Sequence, residues 1–364
     1  MKALIIQVCN IPQGGGAEFI ANKLSTIASN KNFTNKGIFF NNANKIKLEN
    51  NQIILGKQNS YNILNFFKLF LTIIKLSKQY SKVVLHGHLT HALYFLVPFS
   101  YFKKFILIYT EHNSKNKRRD YYFLKPIEKF VYSRYKRIIS VSPFVQKQLL
   151  SWLEIDLKIN NKKNKKFKVI YNGSSQNEFI LRDFAKKKYN LISIGSLTKQ
   201  KGFDLSIKAI CHCREIINSY TILGEGPERK LLEEIILRRN LSTLVKMPGY
   251  VSSIHKYLEN TDLALIPSLW EGHPLVSIEM ISSGLPLCIS NVGGLADILS
   301  ELKTVKVIKN FDEKKWGAEI RESLESLDIL KSDLKKSSTF VSKFSLENMI
   351  NNYKTEYLNL LRSN

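Results

Sequence analysis

Short apolar runs recur along the chain, separated by stretches in which apolar residues return every three or four positions. The runs predict strands at residues 3–8, 36–40, 53–55, 82–86, 105–109, 137–141 and 168–171. A second series lies at 191–194, 220–223, 245–249 and 263–267. Helical spacing falls between them, over 19–29, 62–79 and 144–153, from Phe203, after Pro274 and over 346–361. This alternation reads as α/β. In the 62–79 helix, Leu64, Phe67, Phe70, Leu71 and Ile74 form a stripe that Phe66, Leu69, Ile73 and Leu76 widen. Lys68, Lys75 and Lys78 gather on the other side. We read it as a core helix with snorkelling lysines. A membrane-surface helix is the alternative.

The chain has 364 residues, enough for two domains, and 44% of them are hydrophobic. Its net charge of +25 is one-sided. Residues 1–172 hold 29 Lys and Arg against 7 Asp and Glu, and the remainder holds 26 against 23. A basic first half implies an anionic partner there. Between Lys115 and Arg137 lie nine basic residues, Arg118 and Arg119 among them, interleaved with Tyr121, Tyr122, Phe123, Phe130, Tyr132 and Tyr135. Such a stretch suits stacked single strands or an anionic headgroup layer. No RNA-binding signature accompanies it. We therefore expect an anionic membrane surface there, and no nucleic acid. The lysines at 158, 162, 163, 165, 166 and 168 read as a solvated loop. The uncharged run at 89–102 is shorter than a bilayer span, so membrane contact should be peripheral. Cys9, Cys211, Cys213 and Cys288 form no CxxC pair and read as core thiols in a reducing compartment.

The densest chemistry lies between Ser268 and Gly294. Glu271 and Glu279 flank Gly272-His273-Pro274-Leu275, and Pro274 suits the first turn of a helix. Amides at that helix start would face the same space as Glu271 and favour an anion. Two carboxylates beside such an anion site suit the hydroxyls of a sugar and a ribose joined by a diphosphate. Elsewhere, Gly14-Gly15-Gly16 lies between a strand and a helix, where backbone amides can meet phosphate. His88 and His112 stand at strand ends, where ligands of α/β sheets bind.

Glu271-x7-Glu279, Ser283-Gly284-Leu285-Pro286 and Asn291-Val292-Gly293-Gly294 together resemble the donor-site signature of retaining glycosyltransferases of family 4, which have the GT-B fold. The resemblance implies two Rossmann-like domains facing a cleft. It places an acceptor-binding domain at 1–172, a nucleotide-sugar-binding domain at 189–344 and a last helix, 345–364, crossing back to the first domain. The linker should fall within 173–188. By the same resemblance Glu271 holds sugar hydroxyls, Glu279 the ribose, and Gly15 and Gly16 the diphosphate. His112 contacts the transferred sugar, and His88 lines the acceptor side with Arg118 and Arg119, which would meet a membrane surface or a lipid-diphosphate acceptor. Lys201-Gly202 matches the family's G-R-L-x-x-x-K-G, with Lys201 on the diphosphate, whereas Ser196 replaces its Arg and Lys199 is the candidate substitute. Tyr250 follows the strand end that receives the base. Gly272, His273, Pro274 and Leu275 complete the donor side.

The implied reaction is transfer of a hexose or N-acetylhexosamine from a nucleoside-diphosphate sugar, UDP favoured, to a polyprenyl-diphosphate-linked glycan in surface polysaccharide synthesis. We expect no cofactor and no metal, since no D-x-D-like pair stands at a strand end. The expected location is the cytoplasm, peripheral on the inner face of the membrane. The alternatives are a GT-B nucleotide-sugar epimerase and a non-catalytic basic membrane- or RNA-binding protein.

Overall fold

A computed structural model of the chain describes residues 3–29, 32–42, 46–56, 63–156, 165–174, 179–180, 184, 186–251 and 253–362. Lys158, Lys162 and Lys163 of the expected lysine loop lie outside them, as do Asn62 and much of the expected linker. The chain divides into two compact units, Met1–Gly173 with Glu347–Asn364, and Ser174–Leu346.

In the first unit the order is β1 (Ala3–Cys9), α1 (Gly16–Ser25), β2 (Phe33–Phe39), β3 (Gln52–Ile54), α2 (Ile63–Ser77), β4 (Val83–His88), α3 (Leu89–Phe95), β5 (Phe105–Glu111), α4 (Lys125–Ser133), β6 (Arg137–Ser140), α5 (Pro143–Leu153) and β7 (Phe167–Val169). The strands form a parallel sheet in the order β3-β2-β1-β4-β5-β6-β7. Every residue of β1, β4 and β5 is buried, as strands covered by helices on both faces must be. Order reverses beside β1, so β1 and β4 end at a switch point where ligands of open sheets bind. Strand β4 runs through His86 and His88 rather than ending at His86, which makes both histidines sheet residues.

The second unit runs β8 (Tyr189–Ile194), α6 (Phe203–Ile210), β9 (Ile217–Leu223), α7 (Arg229–Arg238), β10 (Val245–Gly249), α8 (His255–Glu259), β11 (Leu263–Ile266), α9 (Leu275–Ser282), β12 (Leu287–Ser290), α10 (Ala296–Leu299), β13 (Val305–Ile308), α11 (Glu313–Glu325) and α12 (Leu327–Val341). Its parallel sheet has the order β10-β9-β8-β11-β12-β13. Here β8 and β11 flank the switch point. The last helix, α13 (Leu346–Arg362), belongs to the first unit from Glu347 onward. Glu356 holds it there, 3.0 Å from Arg137 Nε and paired with Lys168.

Two expectations change. In α2 the core side is Leu69 and Ile73, each worth about 1.5–3 kcal/mol of burial, whereas Leu64, Phe67 and Leu71 of the expected core stripe face outward. The helix is apolar on two sides, and the sheet takes only one. Arg118 and Arg119, expected among solvent-facing basic groups, instead pair inside the unit. Arg118 Nη1 lies 2.6 Å from Glu128 Oε1, and Arg119 Nη2 lies 2.6 Å from Glu111 Oε2. Both carboxylates are buried, and a buried carboxylate requires a cation. Tyr132 Oη also donates to Glu111 Oε2 at 2.7 Å, and Trp152 Nε1 to Glu128 Oε2 at 2.7 Å.

The cysteines are free, and Cys9, Cys213 and Cys288 are buried. Among the described residues, no helix is long and apolar enough to cross a membrane.

Candidate functional site

In the second unit the site grows from two chain crossings. Gly202, in the left-handed region at φ 61°, ends the turn at Lys199–Lys201; a Cβ there would lie 2.2 Å from Pro267 O. Gly294, at φ 82°, lies so close to the Glu271–Gly272 backbone that a Cβ would meet Gly272 O at 2.3 Å. These contacts bring the turn after β8 and the turn after β12 onto the loop between β11 and α9. The sequence signature therefore spells out a backbone packing. Gly294→Ala should cost at least about 1–3 kcal/mol through the left-handed backbone alone, read as a lowered unfolding midpoint. An unchanged midpoint would show that the crossing is slack.

The crossing sets Lys201 Nζ 2.6 Å from Glu271 Oε1, which also accepts from Ser268 Oγ at 2.8 Å. Gln200 Nε2 donates to Trp270 O at 3.0 Å, and Leu269 N to Gln200 O at 2.8 Å, fixing the two loops together. The stem of Lys201 lies across Gly195, where a Cβ would sit 3.2 Å from Lys201 Cε. Four residues beyond Glu271, α9 begins at Leu275, with Pro274 as its N-cap rather than in its first turn. Helix geometry leaves the first amides, of Leu275 and Val276, without intrahelical acceptors. An ammonium, a carboxylate and a helix N-terminus thus meet where the two loops cross. Glu279 lies one turn into α9, and burial raises its carboxyl from 4.5 to about 7. His273 is buried, with its ring centroid 5.4 Å from that of Phe344, and burial lowers it to about 4. Ser196, Lys199 and Tyr250 are exposed.

In the first unit, Gly15 N-caps α1 without a side-chain cap. Glu18 folds back so that its carboxylate accepts from the amides of Gly15 and Glu18, and burial raises its pKa. The turn expected to meet phosphate already holds an internal carboxylate.

His88 and His112 sit in a buried hydrogen-bonded row. His112 Nε2 lies 3.1 Å from His88 Nδ1, and His88 Nε2 lies 3.2 Å from Gln7 Oε1. Gln7 Nε2 donates to Tyr357 Oη at 3.0 Å. Tyr357 Oη lies 2.8 Å from His86 Nδ1, and His86 Nε2 lies 2.8 Å from Thr110 Oγ1. Tyr353 Oη is 3.1 Å from Thr110 Oγ1. Burial lowers all three imidazoles, His112 to about 3, so each is neutral and carries one N–H. Gln7 Oε1 can only accept, so His88 Nε2 carries its proton and His88 Nδ1 accepts. His112 must then donate from Nε2, which leaves Nδ1 a bare lone pair. Nδ1 is a buried atom with no hydrogen-bond partner among the described residues.

Sequence reasoning named His88 and His112 but missed Gln7, His86, Thr110, Tyr353 and Tyr357. A signal existed. Polar residues at alternate positions of β4, beside Gln7 on β1 and Thr110 on β5, would share one buried face and need partners. Among the described residues, no three His, Cys, Asp or Glu side chains converge as a metal site.

Residues 175–338 match the family model described as glycosyl transferases group 1. An uncharacterized glycosyltransferase of Methanocaldococcus jannaschii is 29% identical over 201 residues, 50% of each chain. An uncharacterized 41.2 kDa protein in the cps region of Klebsiella pneumoniae is 27% identical over 83% of this chain and 86% of its own. An O-antigen biosynthesis glycosyltransferase of Escherichia coli is 25% identical over 53% of this chain and 56% of its own. The chain thus matches about half the length of the first and third of these relatives. Among solved structures, sucrose-phosphate synthase of Thermosynechococcus elongatus superposes with a TM-score of 0.81, 15% identity and full coverage of both chains. Anabaena HepE, in complex with UDP and glucose, superposes with a TM-score of 0.80 and 17% identity over 99% of this chain and 100% of its own. Residues 175–338 therefore match the glycosyl transferases group 1 model, and the chain as a whole has the two-unit fold of GT-B glycosyltransferases.

Proposed function

We propose that the chain is a retaining, metal-independent glycosyltransferase of family 4 acting in surface polysaccharide synthesis. It moves a hexose or N-acetylhexosamine from a nucleoside-diphosphate sugar, UDP favoured, to a hydroxyl of a lipid-linked glycan at the inner face of the cytoplasmic membrane. The carrying observation is the loop that sets Lys201 against Glu271 at the start of α9, with Glu279 one turn further on. The O-antigen relative and the UDP complex of HepE support the acceptor class and the donor base.

In the reaction, the bond between sugar C1 and the diphosphate oxygen breaks, and the acceptor oxygen bonds to C1. The acceptor's proton leaves to the departing diphosphate or to solvent. Charge grows on the diphosphate, where Lys201 and the amides of Leu275 and Val276 stabilise it. Glu271 accepts from sugar hydroxyls. Incubation with UDP-, GDP- and ADP-sugars tests the proposal: one base family should raise the melting temperature, and on addition of a lipid-linked glycan acceptor, or more slowly with water as acceptor, its diphosphate should be released whether or not a chelator is present. No shift and no release with any of them would overturn it.

Glu279 supplies a second test. With a carboxyl at about 7, the folded state keeps a proton that the unfolded chain loses near 4.5. Between these values the native state binds more protons, so stability on this account falls as pH rises from 4.5 to 7. Ribose hydroxyls donate best to the ionised form. Donor KM should therefore fall as pH rises through about 7. Glu279→Gln should flatten both trends; a pH dependence that survives it would remove Glu279 from the ribose.

A further inference from the structure

We infer that one outer face of the first unit docks on an anionic lipid bilayer, through α2, the turn Val97–Tyr101 that follows α3, and α4. These elements form one packed layer. They cross between β3 and β4, β4 and β5, and β5 and β6, and right-handed crossovers set all three on the same side of the sheet. Phe66 packs on Phe95 at 5.5 Å and Phe70 stacks on Phe99 at 5.0 Å, joining α2 to its neighbour. The Arg134 guanidinium lies 4.2 Å from the Tyr101 ring and 5.6 Å from that of Phe130, joining the turn to α4.

The outer side of this layer is apolar where a soluble surface would be polar. Phe67 and Leu71 are 56% and 67% exposed on α2, and Tyr101 is 65% exposed on the turn. Ile127 and Phe130 are 52% and 50% exposed on α4. A contiguous exposed patch of this kind marks an interaction surface. Its charge selects the partner. Lys68, Lys75 and Lys78 are exposed along α2, with Lys103 beyond the turn. Residues 63–78 and 89–104 contain no Asp or Glu, and the one acid of α4, Glu128, is buried against Arg118. A protein partner is expected to offer mixed charge, and single-stranded RNA stacks on rings with cations between them, whereas here the exposed Phe67, Tyr101 and Phe130 are interleaved with the exposed aliphatic side chains Leu64, Leu71 and Ile127, which offer a base no π-face. Glu154 pairs with Lys125 and Lys129 at the edge of α4, so the net positive charge lies along α2 and beyond the turn; exposed apolar side chains beside those lysines suit acyl chains beneath acidic headgroups.

The test is co-sedimentation of the full chain with vesicles of phosphatidylcholine alone or mixed with phosphatidylglycerol. Binding is expected to the mixed vesicles and to weaken with salt. Replacing Phe67, Leu71 and Phe130 together with serine should lower partitioning about tenfold or more. Replacing Lys68, Lys75 and Lys78 together with alanine should lower it about a hundredfold. These side chains lie outside the core, so the melting temperature and nucleotide binding should hold in both variants, which separates this surface from the donor site. Failure of the folded wild type to bind the mixed vesicles would overturn the inference, as would variants that bind equally well. Self-association abolished by the serine variant, without vesicle binding, would assign the face to a second copy. Preference for an RNA oligonucleotide over vesicles would reassign it to nucleic acid. Either result overturns the bilayer.

Discussion

Replacing Lys201 with alanine should lower turnover by about two to three orders of magnitude, the usual effect of removing one charge-stabilising donor. Lys199, exposed in the same turn, is the candidate to take over part of its role. Ser196, where the family has an arginine, is an exposed hydroxyl and carries no charge. Yet the same substitution strips Glu271 of its partner 2.6 Å away, and Glu271 is buried. Breaking a buried pair from one side costs about 3–5 kcal/mol, so lost activity alone proves little. The double variant Lys201→Met with Glu271→Gln resolves this, since it leaves no buried charge. It should regain the melting temperature and still turn over more slowly than Glu271→Gln alone. Recovery of both would make Lys201 a structural residue only. Glu271→Gln alone frees Lys201 from its carboxylate. It should bind the nucleoside diphosphate at least as tightly as the wild type while transferring sugar more slowly. Wild-type kinetics in that variant would remove Glu271 from the reaction.

The loop from Ser268 into α9 is legible in the sequence because its chemistry is local. Glu271, Glu279 and Pro274 lie within one turn and one helix, and backbone conformation fixes their spacing. Gly294 was legible as a motif, but its reason was not, because the clash it avoids is with Gly272 in another loop. The Lys201–Glu271 pair joins residues 70 apart in sequence. Each could be assigned a partner in the ligand, but nothing in the sequence shows that they neutralise each other. Composition misled where burial decides. Nine basic residues between Lys115 and Arg137 read together as contacts for an anionic partner, yet Glu111 and Glu128 inside the unit draw in Arg118 and Arg119. Periodicity misled in α2 for a different reason. Two apolar stripes both satisfy helical spacing, and the pattern does not say which one meets the sheet.

Along the histidine row, the expected result is a single protonation pattern at His112, with Nε2 carrying hydrogen and Nδ1 bare. The 15N shifts of the imidazole distinguish these nitrogens directly. The pattern is dictated from a distance: the hydrogen at each nitrogen follows from the bond its neighbour makes. Gln7 sets His88, His88 sets His112, and Tyr357 of α13 accepts from the amide of Gln7. The last helix thus reaches, through three hydrogen bonds, the nitrogen of this row that has no hydrogen-bond partner among the described residues. Under the transferase proposal, Nδ1 accepts from a hydroxyl of the transferred sugar. Losing one such buried hydrogen bond costs about 1–3 kcal/mol, and His112→Ala should lower kcat about tenfold to a hundredfold. His112→Asn keeps an acceptor near the Nδ1 position and should retain more activity than alanine. His88→Ala removes the acceptor for Nε2–H, so His112 should show mixed tautomers and a kcat loss approaching that of His112→Ala. Tyr357→Phe lies two links further off and should cost less than His88→Ala. Protonation at Nδ1 in the wild type would overturn the assignment whatever the kinetics show, because a donor cannot take the hydroxyl hydrogen that this role requires.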